Sequence, residues 1–119
     1  MKEKQKSYWF GLLAEYYAII VLSFKGYILL KHRFKTKMGE IDLIFKKGHN
    51  LIAVEVKARK DTSTNIEEVV SHRQYHRIIN SLKIFLNKNE IYSNFNIMVD
   101  VVLVNCNLKI SHLKNIIVD

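Results

Sequence analysis

The sequence predicts an α/β sandwich around a mixed sheet, in the order helix, three strands, helix, strand. Three observations carry that prediction. An apolar run from Tyr8 to Phe24 lies between Ser7 and Gly26, residue types that open and close helices. Two blocks, Gly39-Glu40-Ile41-Asp42-Leu43-Ile44 and Val54-Glu55-Val56-Lys57-Ala58-Arg59, have the period of strands. Thr64-Asn65-Ile66-Glu67 is a capping box that introduces a helical stripe of Ile66, Val70, Ile78, Leu82 and Phe85 or Leu86.

The first helix spans Ser7 to Phe24, capped by Ser7 and closed by Gly26. Tyr27–Phe34 is a strand, Lys35–Gly39 a basic turn and Glu40–Phe45 the second strand. Alternation places Ile41, Leu43 and Phe45 on one face and Glu40, Asp42 and Ile44 on the other. In the third strand, Leu51–Ala58, Glu55 and Lys57 share a face with Leu51 and Ala53. Gly48-His49 fits a two-residue type II′ loop, which pairs Lys47 with Asn50 and sets Asp42 opposite Glu55. Glu67 and Glu68 suit the first turn of the second helix. Ile97–Val104 is apolar on both faces and reads as an interior strand, and Leu108 and Ile110 suggest an edge strand. The tail after His112 sets no clear element.

The 119 residues read as one domain with 49% hydrophobic content, enough for a core. Nineteen Lys and Arg against eleven Asp and Glu give a formal net charge of +8, which favours polyanions. A single cysteine, Cys106, rules out an internal disulfide and a Cys-rich zinc site, and fits a reducing cytoplasm. The lysine-flanked Tyr8–Phe24 run resembles a signal peptide or a membrane span. Its length is at the short limit for a span. Glu15 sits near its centre, where a charge in lipid is costly. It therefore reads as a buried helix carrying one functional acid, with no membrane partner.

Asp42 and Glu55, with the Val56 carbonyl, offer the hard oxygen ligands that Mg²⁺ takes. Lys57, two residues past Glu55, would orient a water or offset phosphate charge. A salt-bridge ladder of Asp42, Glu55 and Lys57 is the structural alternative. Glu15 needs a metal, a metal-bound water or a basic side chain if it is buried. Arg33, Lys35, Lys37, Lys46, Lys47, Arg59 and Lys60 are candidate phosphate contacts near the strand ends. His72, Arg73, Gln74, His76 and Arg77 are candidates to line a groove. Asp100 reads as structural, paired with a nearby base.

These residues resemble the YraN-like family of small bacterial proteins, from about Phe10 to Val118. The carriers are Gly11 with Ala14-Glu15, Gly26-Tyr27, the two strand blocks, Val99-Asp100-Val101-Val102 and Ile110-Ser111-His112-Leu113-Lys114-Asn115. The family looks like a branch of the restriction-endonuclease-like, PD-(D/E)xK, superfamily and is similar to archaeal Holliday junction resolvases. The resemblance implies a restriction-endonuclease-like three-layer α/β/α sandwich with core order αβββαβ. It implies a Mg²⁺ or Mn²⁺ site with Glu15, Asp42, Glu55 and Lys57 as the catalytic set, and a homodimer. Departures are Ile41 for the motif proline, Met98 and Val99 for a basic residue and a phenylalanine, and Arg73 for a helix lysine.

The leading expectation is a Mg²⁺-dependent endonuclease on DNA, branched or structured DNA included. The alternatives are a module that binds nucleic acid without cutting it and a protein-interaction or membrane-associated role, with the basic face meeting an acidic partner. Clustered acids repel phosphate, which favours the first.

Overall fold

The computed structural model describes residues 2–59 and 69–118. Its elements are α1 (Glu3–Phe24), β1 (Ile28–Thr36), β2 (Gly39–Lys47), β3 (Asn50–Ala58), α2 (His72–Lys88), a 3₁₀ turn (Glu90–Tyr92), β4 (Asn96–Val104) and β5 (Ile110–Leu113). The strands form one mixed sheet in the order β1-β2-β3-β4-β5. β1, β2 and β3 are an antiparallel meander, β4 runs parallel to β3, and β5 returns antiparallel to β4. The β3–β4 connection contains α2, as a parallel pair requires.

Each face of the sheet carries a helix. On one, Ala14, Ala18 and Leu22 of α1 pack with Leu43, Phe45, Ile52, Val54, Val102 and Val104. On the other, Ile78, Leu82 and Phe85 of α2 pack with Ile41, Ile44, Leu51, Ala53, Val99, Val101 and Leu103. The tail joins this second layer: Ile116 and Val118 are buried in it, and the Ile116 amide donates to the Val99 carbonyl at 2.8 Å.

Several local expectations hold. Gly26, at φ +91°, closes α1. Its amide donates to Ser23 and that of Tyr27 to Leu22, the paired bonds of a Schellman motif. Gly48 has φ +59° and His49 does not have positive φ, so the β2–β3 loop does not need the two left-handed residues of a type I′ turn. Lys47 pairs with Asn50 as the loop predicts. β4 lies between two strands with Val99–Val104 buried.

Others are corrected. α1 starts at Glu3, so Ser7 lies inside the helix and is not its cap; Glu3, Lys4, Gln5 and Lys6 are good helix formers that extend it. α2 starts at His72, where the Ser71 hydroxyl accepts from the Gln74 amide at 3.1 Å and Ser71 itself is extended. A helix running unbroken from Thr64 is therefore excluded. The capping box Thr64–Glu67, with Ile66, Glu68 and Lys60, lies outside the described residues. Leu108 has φ +62° in the turn before β5 and is not part of that strand.

Two further corrections bear on the site. Strict alternation puts Ile41 with Leu43 and Phe45, yet Ile41 packs in the α2 layer with Ile44. The side chains change face at Asp42, beyond the last β2–β3 pair, Leu43–Val54. And α1 is only half buried. Its small residues face the sheet, while Trp9, Leu13, Tyr16, Ile20 and Phe24 are exposed.

Candidate functional site

The β2–β3 ladder holds one register from Lys47↔Asn50 to Leu43↔Val54 and then stops. At the next step a side chain replaces the backbone. Asp42 Oδ2 accepts the Val56 amide at 2.9 Å. The strand amide stays satisfied where the regular pairing ends, and the candidate acids lie at that point.

Glu55 is 7% exposed, and its Oε1 accepts from Gln74 Nε2 of α2 at 3.1 Å and sits 3.4 Å from Lys57 Nζ. Burial raises its pKa from an ordinary 4.5 to about 8, with the charge of Asp42 pushing the same way and Lys57 opposing. Burial also raises Asp42; the Val56 amide opposes this, and the charge of Glu15 adds to it. A buried and a half-buried carboxylate in mutual contact, with one lysine against them among the described residues, do not both ionise cheaply. The expected meeting of Asp42, Glu55 and Lys57 is what the structure forms.

Glu15 lies close enough for its charge to act on Asp42, but an imidazole and a guanidinium hold it. Its Oε1 accepts from His32 Nε2 at 2.8 Å and Arg33 Nε at 3.1 Å. Of its possible partners, basic side chains satisfy this carboxylate. Consecutive strand residues normally point to opposite faces. Arg33 has φ +56°, and this left-handed residue lets both His32 and Arg33 reach one oxygen. A non-glycine there carries roughly 1–2 kcal/mol of strain.

A divalent cation fits the donor set in kind. Among the described residues no three His, Cys, Asp or Glu side chains gather as a metal cluster. Two carboxylates and a strand carbonyl at Val56 are instead the sparse oxygen set that Mg²⁺ completes with water and phosphate.

Basic residues gather at the same end of the sheet. Lys35 and Lys37 are exposed at the β1–β2 turn, Arg59 at the end of β3, and Arg73 and Arg77 on α2. Gly39, at φ +147°, sits where an added Cβ would come 3.4 Å from Arg77 Cβ, so the turn and α2 are in close approach. Lys46 and Lys47 lie at the opposite end, where Lys47 Nζ stands 4.9 Å over the Tyr27 ring. They are not part of this basic group. The Gln74 bond to Glu55 and the His32 bond to Glu15 were not anticipated. Gln74 sits four residues from Ile78 on α2, and that helical spacing was the available signal; His32 had none.

Asp100 is structural, as expected. It is 1% exposed and accepts from Tyr27 Oη at 3.0 Å, His112 Nε2 at 2.7 Å and the Asn115 amide at 2.8 Å. Desolvation, then the Asp100 charge, raises the Tyr27 pKa.

Residues 14–104 match the model of the uncharacterised protein family UPF0102. A UPF0102 protein of Bartonella tribocorum is 39% identical over 103 residues, 87% of this chain and 78% of the relative. One from a Chelativorans species is 37% identical over 113 residues, 95% of this chain and 90% of the relative. One from Mesorhizobium japonicum is 36% identical over 101 residues, 85% and 80% of the two chains. The matched span takes in Glu15, Asp42, Glu55, Lys57, Arg59, Gln74 and Asp100, and the chain belongs to UPF0102, the YraN-like family.

Proposed function

We propose that this protein is a Mg²⁺- or Mn²⁺-dependent endonuclease that hydrolyses phosphodiester bonds of DNA, branched or structured DNA included, on a restriction-endonuclease-like core. One observation carries the reading: half-buried Asp42 and buried Glu55 meet beside Lys57, where β2 and β3 stop pairing, and burial there raises the pKa of both. A structural salt-bridge ladder would leave such acids ionised and compensated. A deficit of positive charge is what a divalent cation fills.

Asp42, Glu55 and the Val56 carbonyl would hold the cation. Bound there, it supplies Lewis acidity, lowering the pKa of a water and offsetting charge on the phosphoryl oxygens. Lys57, 3.4 Å from Glu55, stands where it can orient the attacking water or neutralise charge as the bond breaks. Gln74 fixes the Glu55 carboxylate. Glu15 holds His32 and Arg33 close to Asp42. Lys35, Lys37, Arg59, Arg73 and Arg77 would contact backbone phosphates, which positions a nucleic acid without reading its sequence.

The test is cleavage of a labelled four-way junction and a matched duplex, with and without Mg²⁺ or Mn²⁺, by the wild type and Glu55→Ala. The reading expects metal-dependent cutting lost in the variant. No cutting, with equal salt-sensitive binding by both proteins, would replace it with the binding-only alternative.

A further inference from the structure

α1 is packed inside out for a helix of an isolated globule. Ala14, Ala18 and Leu22 meet the sheet. Trp9 is 50% exposed, Leu13 60%, Tyr16 50%, Ile20 55% and Phe24 90%. Their spacing of four, three, four and four makes one stripe along roughly 24 Å of helix. Ile28 and Leu29 carry the exposed patch onto β1, the edge strand. At roughly 200 Å² per aromatic side chain, Trp9, Tyr16 and Phe24 alone leave about 400 Å² open. That already falls within the ~300–600 Å² of the largest patch on a typical monomer, before Leu13, Ile20 and Ile28 are added.

Charge selects the occupant. Continued toward the N-terminus at the same spacing, the stripe runs into Lys6 and Lys2, both exposed, and it contains no carboxylate. Glu15, near the middle of the helix, is turned to His32 and Arg33. A second copy would bring another +8 chain against the stripe with no acid on it to pair those lysines. An anionic lipid surface complements both parts. Its headgroups attract Lys2 and Lys6, and its acyl boundary takes Leu13, Ile20 and Phe24 while Trp9 and Tyr16 sit at headgroup level. The buried alanine face keeps α1 on the sheet, so the helix lies in the plane of the surface and does not cross it. The expectation of no membrane partner rested on the shortness of the apolar run and on Glu15 at its centre; the helix spans 22 residues, and Glu15 is turned to His32 and Arg33, away from the exposed stripe.

We infer that the outer face of α1 docks on anionic phospholipid membrane, peripherally, through the Trp9–Phe24 stripe and the lysines before it. This does not rest on the nuclease reading.

Trp9 is the only tryptophan, so its emission reports the stripe directly. The full chain is mixed with vesicles of pure phosphatidylcholine, or of equal parts phosphatidylcholine and phosphatidylglycerol. The expected result is a blue shift and co-sedimentation with the anionic vesicles only. Binding should weaken about tenfold or more in Leu13→Glu/Ile20→Glu and also fall in Lys2→Glu/Lys6→Glu, with circular dichroism unchanged in both. Three results would overturn the inference: no blue shift with either vesicle, equal binding to both, or a lipid-free dimer in ultracentrifugation that Leu13→Glu/Ile20→Glu dissolves. The last would give the stripe to a second copy.

Discussion

Asp100 and the Asp42–Glu55 pair are both carboxylate sites with a buried acid, Asp100 in the one and Glu55 in the other, on opposite faces of one sheet, and they are built to opposite rules. Asp100 receives a tyrosine hydroxyl, an imidazole nitrogen and a backbone amide, and Lys25 Nζ lies 3.1 Å from Nδ1 of that same imidazole, His112. Donors surround the acid, and the network ties α1's end to β4, β5 and the tail. Asp42 and Glu55 face each other with the Val56 amide, Gln74 and Lys57, and their pKa values rise. Among the described residues, donors surround the first acid, while one ammonium, one amide side chain and one backbone amide face the two carboxylates of the second. A fold held only for stability has no reason to leave that deficit, which is why the second site is the one proposed to act.

The widest separation of the two sites is in activity. Asp42→Asn, Glu55→Ala and Lys57→Ala should each lower metal-dependent cleavage by roughly 10²–10³-fold, the cost of losing one transition-state contact. Asp100→Ala should act through folding. Single-turnover rates compared with thermal unfolding separate the two classes.

Stability reverses the ranking. Asp100→Ala leaves the Tyr27 hydroxyl, the His112 ring and the Asn115 amide without their buried acceptor, which should cost about 3 kcal/mol or more. Glu55→Gln removes an acid that resists ionisation, so it should be neutral or stabilising at alkaline pH. Denaturant unfolding of both variants measures the difference.

The pH dependence sharpens the contrast. The folded pKa of Glu55 is raised from an ordinary 4.5 to about 8. Its contribution is therefore fully present below pH 4.5 and is lost as pH rises toward 8, by on the order of a few kcal/mol. Mg²⁺ should flatten that decline in the wild type, and Glu55→Gln, which lacks the titrating acid, should show neither the decline nor the Mg²⁺ effect, measured as melting temperature against pH.

The smallest effect belongs to the basic rim. Lys35→Ala or Lys37→Ala should weaken DNA binding about equally for all sequences and lower the salt slope by about one each. Lys47→Ala, at the far end of the sheet, should leave the slope unchanged.

The register around the site was legible because one residue governs it. Gly48 fixes the loop, the loop fixes Lys47 against Asn50, and a period of two carries that pairing to Leu43 and Val54. Asp42, Glu55 and Lys57 follow from it. Ile41 did not, because alternation assumes a continuous strand, and at Asp42 a side chain takes the ladder's place. Arg33 was hidden for the same reason: nothing in Lys31-His32-Arg33 signals a left-handed residue. The start of α2 went to the stronger-looking capping box, although Ser71 also offers a cap. The exposed face of α1 could not be read at all. A helix apolar all round has no polar side to mark its outside, and alanines are inside because the sheet approaches closely.

The proposal that Asp42 and Glu55 hold a divalent cation meets its sharpest test in calorimetric titration of Mn²⁺ at pH 7 in buffers of different ionisation enthalpy. With Glu55 at about 8, its proton is still bound at that pH and must leave when the cation enters. The account predicts one bound Mn²⁺ with release of close to one proton, both lost in Glu55→Gln. Absence of binding, or binding that releases no proton and survives in Glu55→Gln, would contradict it.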